Sequence, residues 1–126
     1  MRCLLFSLIL SIVIVAPVSA TAQQAARFLS VMEEMPLMPG LVEVTDAAVS
    51  FDGPSGRIIE AFVAGSVQVD AIRAFYAATL PQLGWARQAN GEYRRDAEIL
   101  RLDVSPAPVG ATGAGAHFVL RPAKSQ

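Results

Sequence analysis

Chemistry in this chain would have to come from very few side chains. There is one histidine, His117, and one cysteine, Cys3. Arginines and carboxylates interleave between Arg87 and Arg101, with Arg94 and Arg95 among them and Glu92, Asp96 and Glu98 as the acids. Three large aromatics with a polar atom stand nearby in sequence: Tyr76, Trp85 and Tyr93.

A serine nucleophile needs a base within hydrogen-bond reach, and His117 is the only histidine that could serve. No serine lies in a GxSxG turn, one histidine cannot make a zinc set, and no glycine-turn loop gathers carboxylates for calcium. The sequence therefore carries no catalytic constellation and calls for no metal and no cofactor. His117, on the last strand and facing opposite to Phe118, reads as an ordinary surface or edge residue.

Two binding chemistries stay open. Arg87, Arg94 and Arg101 could form a guanidinium patch for a carboxylate, a phosphate or a lipid head group. Equally, salt bridges to Glu92, Asp96 and Glu98 on a solvated face would account for them. Tyr76 and Trp85, with Tyr93, could border a small-molecule pocket, or they could simply dock a helix onto a sheet.

The element that must position these groups covers residues 69–83. Val69, Ile72, Phe75, Tyr76, Thr79, Leu80 and Leu83 recur at helical spacing on one arc, while Asp70, Arg73, Ala74, Ala77 and Gln82 fall outside it. Ser66 is placed to cap the start, and Asp70 suits the positive end of the helix dipole. Gly84 is the expected left-handed residue of a Schellman ending, which brings Leu80 against Trp85. Pro81 cannot donate to the carbonyl of Ala77, so the last turn should bend or tighten.

Before that helix, residues 22–35 place Phe28, Val31, Met32 and Met35 on one arc, which predicts a short first helix ended by Pro36. The following MPLMPGL, residues 35–41, is apolar but broken by two prolines. Met35, Leu37 and Met38 either pack across an open sheet edge or meet a partner protein. Residues 41–52 and 57–64 flank a Gly-Pro-Ser-Gly turn and read as a hairpin. Its faces group Val49 with Phe51, Ile59 with Ala61 and Val63, and Ile58 with Glu60 and Phe62.

After Trp85, the Asn90-Gly91 pair predicts a two-residue type I′ hairpin, which would set Arg87 opposite Arg94. Residues 99–105 alternate, with Leu100, Leu102 and Val104 inward. Residues 106–115 lack periodicity and read as a flexible loop, and His117 to Arg121 form a last strand.

The chain opens with Arg2, an apolar run over residues 4–15 and small residues before Ala20, the pattern of a secretory signal peptide over residues 1–20. Cleavage after Ala20 leaves a single domain, residues 21–126, with nine basic and eleven acidic side chains and no cysteine. That excludes thiol chemistry and nucleic-acid binding by charge, and leaves no stable membrane anchor. Nine arginines against one lysine, with abundant alanine, suit a bacterial genome, so the expected address is the periplasm or beyond the cell.

MPLMPGL (35–41), FDGPSGRIIEA (51–61) and FYAATLPQLGW (75–85) together resemble a family of small, uncharacterised exported alphaproteobacterial proteins. The likeness spans about half of the chain after Ala20. It implies a secreted single domain and supplies no catalytic residues.

The expected fold is an α+β two-layer sandwich, in which an antiparallel sheet of five to six strands carries the main helix on one face, with the short first helix beside it. The expected role is a non-enzymatic interaction module that binds an envelope protein. The alternative is a small-molecule or anionic-ligand binding domain that uses the pocket beside Tyr76 and Trp85 or the arginine patch.

Overall fold

In the computed structural model, which describes residues 27–108 and 110–124, the amphipathic stretch folds as α1 (Val69–Gln82). Ile72, Tyr76 and Leu80 are buried, and Val69, Phe75, Thr79 and Leu83 are half-buried beside them. The remaining residues of α1 are exposed, so the helical period alone sorted its two faces.

The ending follows from Gly84. Its φ of +87° lets the chain reverse. The Trp85 N–H then donates to the Leu80 carbonyl at 3.1 Å and the Gly84 N–H to that of Pro81 at 3.1 Å, the two bonds of a Schellman cap. The start differs from expectation. Gln68 is the N-cap, without a side-chain hydrogen bond, because Ser66 and Val67 are used in turning out of the preceding strand.

That strand belongs to a seven-stranded antiparallel sheet: β3 (Leu41–Glu43), β4 (Val49–Gly53), β5 (Gly56–Gly65), β6 (Ala86–Arg87), β7 (Tyr93–Arg95), β8 (Glu98–Pro106) and β9 (Ala114–Pro122). The order is β3-β5-β9-β8-β7-β6, with β4 also on β5. Ile59 and Glu60, which pair with β4, and residues 63–65, which pair with β3, all pair with β9 on their other side, so β3 and β4 share one edge, split by a 3-10 turn over Thr45–Ala47. The sheet exceeds the five or six strands expected because residues 41–43 pair with the far end of β5 on their own.

Ile59, Ala61 and Val63 of β5, Ala116 and Phe118 of β9 and Leu100 of β8 form the buried face, over which α1 packs. Tyr76 sits at its centre, edge-on to Phe118 with ring centroids 5.1 Å apart. Alternation puts Ile58, Glu60 and Phe62, with His117, Val119 and Arg121, on the opposite face.

Over residues 27–35 the expected first helix is absent. Residues 22–26 lie outside the described residues, as does the signal peptide. Residues 27–35 are a short strand β1 (Arg27–Phe28), bends and a turn, and β1 pairs with β2 (Pro36–Leu37). Of the expected arc, Met32 and Met35 are buried and Val31 is half-buried, but Phe28 is exposed and Leu29 is buried in its place, because the pairing of β1 with β2 replaces the helical period. No helix among the described residues is long and apolar enough to cross a membrane.

Candidate functional site

The MPLMPGL segment is core. Met35, Leu37 and Leu41 are buried, and Met38 is half-buried against them. Pro36 and Met38 are held by one side chain: the Tyr76 hydroxyl donates to the Pro36 carbonyl at 2.9 Å and accepts from the Met38 N–H at 3.3 Å. Burial pushes the Tyr76 phenol up to about 12, partly offset by the hydrogen bond from Met38. Met35 and Leu37 are therefore not surface contacts for a partner, and Tyr76 is a structural clamp.

The expected arginine patch is divided. The hairpin after Trp85 pairs Arg87 with Tyr93 and Ala86 with Arg94, one residue away from the type I′ register. Asn90 keeps a negative φ while Gly91 takes +86°, so the loop holds three residues, with Gly91 as the left-handed one. The Gln88 N–H donates to the Glu92 carbonyl at 2.7 Å and closes it.

A one-residue slip sends a side chain to the other face. Arg87 thus turns to the helix side, where with Arg73, Tyr93 and Leu102 it lines an open cavity of about 400 Å³. Arg94 and Arg101 stay on the outer face, where Arg101 pairs with Asp103 at 2.9 Å. The guanidinium that meets an acid of the hairpin is instead Arg121, 3.0 Å from Glu92. Hydrogen bonding from Arg121 leads in holding the Glu92 carboxyl below its ordinary range, helped by Asn90 and by the charges of Arg121 and Arg101 and opposed by partial burial.

His117 lies on β9, which is last in sequence but inside the sheet. Its Nε2 is 3.0 Å from Glu60 Oε2, and its ring stacks on Phe62 at 4.1 Å. Among the described residues, its hydrogen-bond partner is this carboxylate and not a hydroxyl.

Two features bring together residues that the spacing did not. The first is a cavity of about 380 Å³ beside Trp85, floored by Met32, Met35, Ile59 and Leu120 and rimmed by Glu34, Arg57, Arg95 and Glu98. Tyr76 and Tyr93 do not line it. Arg95, which follows Arg94 onto the opposite face, lies over the Trp85 ring at 4.5 Å and pairs with Glu34.

The second feature is the β3–β4 edge. Val42, Val44, Val49 and Phe51 are four of the five large apolar side chains exposed among the described residues; the fifth is Phe28. Val49 and Phe51 sit opposite Glu60 and Ile58, and therefore on the outer face. β4 carries one acid, Asp52, and no lysine or proline, the residues that usually guard an edge.

Compared with known proteins, the chain matches no protein-family model, and it has no significant match among curated proteins or solved structures.

Proposed function

We propose that this chain is an exported, non-enzymatic domain of the cell envelope that binds a partner protein along its β3–β4 edge. The signal-peptide pattern supports the address, the periplasm, and the resemblance to small exported proteins agrees with it. In this reading the domain is a two-layer α+β sandwich whose outer layer is the sheet itself.

The observation that carries the reading is the clustering of exposed Val42, Val44, Val49 and Phe51 on one unguarded edge. An extended partner segment could add a strand to β4, its backbone satisfying the open ladder and its alternate apolar side chains meeting Val49 and Phe51. Asp46 and Asp52 border the edge and favour a partner segment with basic residues.

The test is capture from envelope extract by residues 21–126, set beside a Val49→Lys, Phe51→Lys variant and an Arg73→Asp variant on the exposed helix side. One protein retained by the parent and by Arg73→Asp, but lost with the edge variant while circular dichroism stays native, is the expected result. A protein retained by all three forms would place the interaction elsewhere.

A further inference from the structure

We infer that the cavity beside Trp85 binds an aliphatic carboxylate, whose head group takes the place of Glu34 on Arg95. This site is separate from the β3–β4 edge and stands without it.

Arg95 is preorganised. Its guanidinium lies over Trp85 at 4.5 Å, Nη1 donates to the Leu83 carbonyl at 3.3 Å, and only 25% of the side chain is exposed. A guanidinium so fixed presents its remaining donors to a carboxylate at low entropic cost. Its present partner is of the opposite kind. Glu34 sits on a tight turn closed by the Met35 N–H on the Met32 carbonyl at 2.8 Å, and its side chain is 76% exposed. The pair is thus a fixed cation with an exchangeable carboxylate at a cavity mouth.

Behind the pair lies an apolar floor that the Glu34 side chain does not fill, made by Met32, Met35, Ile59 and Leu120. A free carboxylate with a hydrocarbon tail satisfies Arg95 and covers that floor at once, and about 380 Å³ suits a chain of medium length. Glu98 Oε2 stands 3.9 Å from the same guanidinium and, with Glu33 of the lining, opposes an incoming anion. Arg57 in the same lining offsets one of those two charges; its Nη2 donates to the Val31 carbonyl at 3.2 Å.

Trp85 is the only tryptophan in the chain, so its fluorescence reports on this site directly. Titration with sodium decanoate below its micelle concentration should change that emission saturably, with decanol and decylammonium binding at least tenfold more weakly. Glu34→Gln removes the internal competitor from an exposed turn and should tighten decanoate binding about two- to fivefold, the strength of an exposed ion pair. Arg95→Gln should abolish the preference for the acid. Equal binding of decanoate and decanol, tighter binding of decylammonium, no saturable response, or unchanged affinity in Glu34→Gln would each overturn the assignment.

Discussion

Two apolar stretches a few residues apart, Met35 to Leu41 and Val49 to Phe51, have opposite fates. The first is buried in the core and held by Tyr76, although its prolines exclude long regular structure. The second is regular strand, yet Val49 and Phe51 are about half exposed. Hydrophobicity does not separate them. What separates them is side: the first packs on the covered face, and pairing with Ile58 and Glu60 turns the second outward.

The contrast is broken or sharpened by substitution, and the largest effect belongs to the covered side. Met35→Asp places a charge in the core cluster, beside Leu29 and Trp85, and should cost about 4 kcal/mol or more, seen as loss of the cooperative transition in urea. A stable Met35→Asp protein would mean that the segment is not core.

Tyr76→Phe comes next. It leaves the Pro36 carbonyl and the Met38 N–H without their partner, which should cost about 1–3 kcal/mol in chemical denaturation. The pH dependence has a definite sign. A phenol raised in the folded state to about 12 contributes stability that is complete below its ordinary value near 10 and is lost as pH rises through about 12. The parent should lose stability over that window more steeply than Tyr76→Phe.

On the outer face the effects shrink. Glu92→Gln weakens the pair with Arg121 and should cost within about 1 kcal/mol near neutral pH. Because the Glu92 carboxyl is held below its ordinary range, its contribution is present above that range and is lost as pH falls through the folded value. The acid limb of the stability curve should therefore be shallower in Glu92→Gln. Smallest of all, Phe51→Asp should change stability by about 0.5 kcal/mol or less, measured by thermal unfolding of the isolated domain. A large loss there would mean that the edge is covered within the domain itself.

The corner from Val69 to Trp85 was legible because each of its rules is local. The period of 3.6 selects Ile72, Tyr76 and Leu80, and a left-handed Gly84 followed by Trp85 specifies the cap. The hairpin at Asn90-Gly91 was legible only as a turn. Two-residue and three-residue loops use the same dipeptide, and the one-residue difference moved Arg87 away from Arg94 and divided the expected patch. The pocket residues Glu34, Arg57 and Arg95 lie 61 positions apart at the extremes, a separation no spacing rule bridges.

By itself, the sequence determined the main helix with its faces and its C-terminal cap, the positions of the turns, and which residues of each strand share a side, because those depend on bonds and contacts within a few residues. The tertiary structure alone decided which side is covered. A period of two groups Val49 with Phe51 and Ile59 with Val63 equally well, and only the docking of α1 and of the Met35 to Leu41 segment onto one of the two faces makes the second pair core and leaves the first exposed.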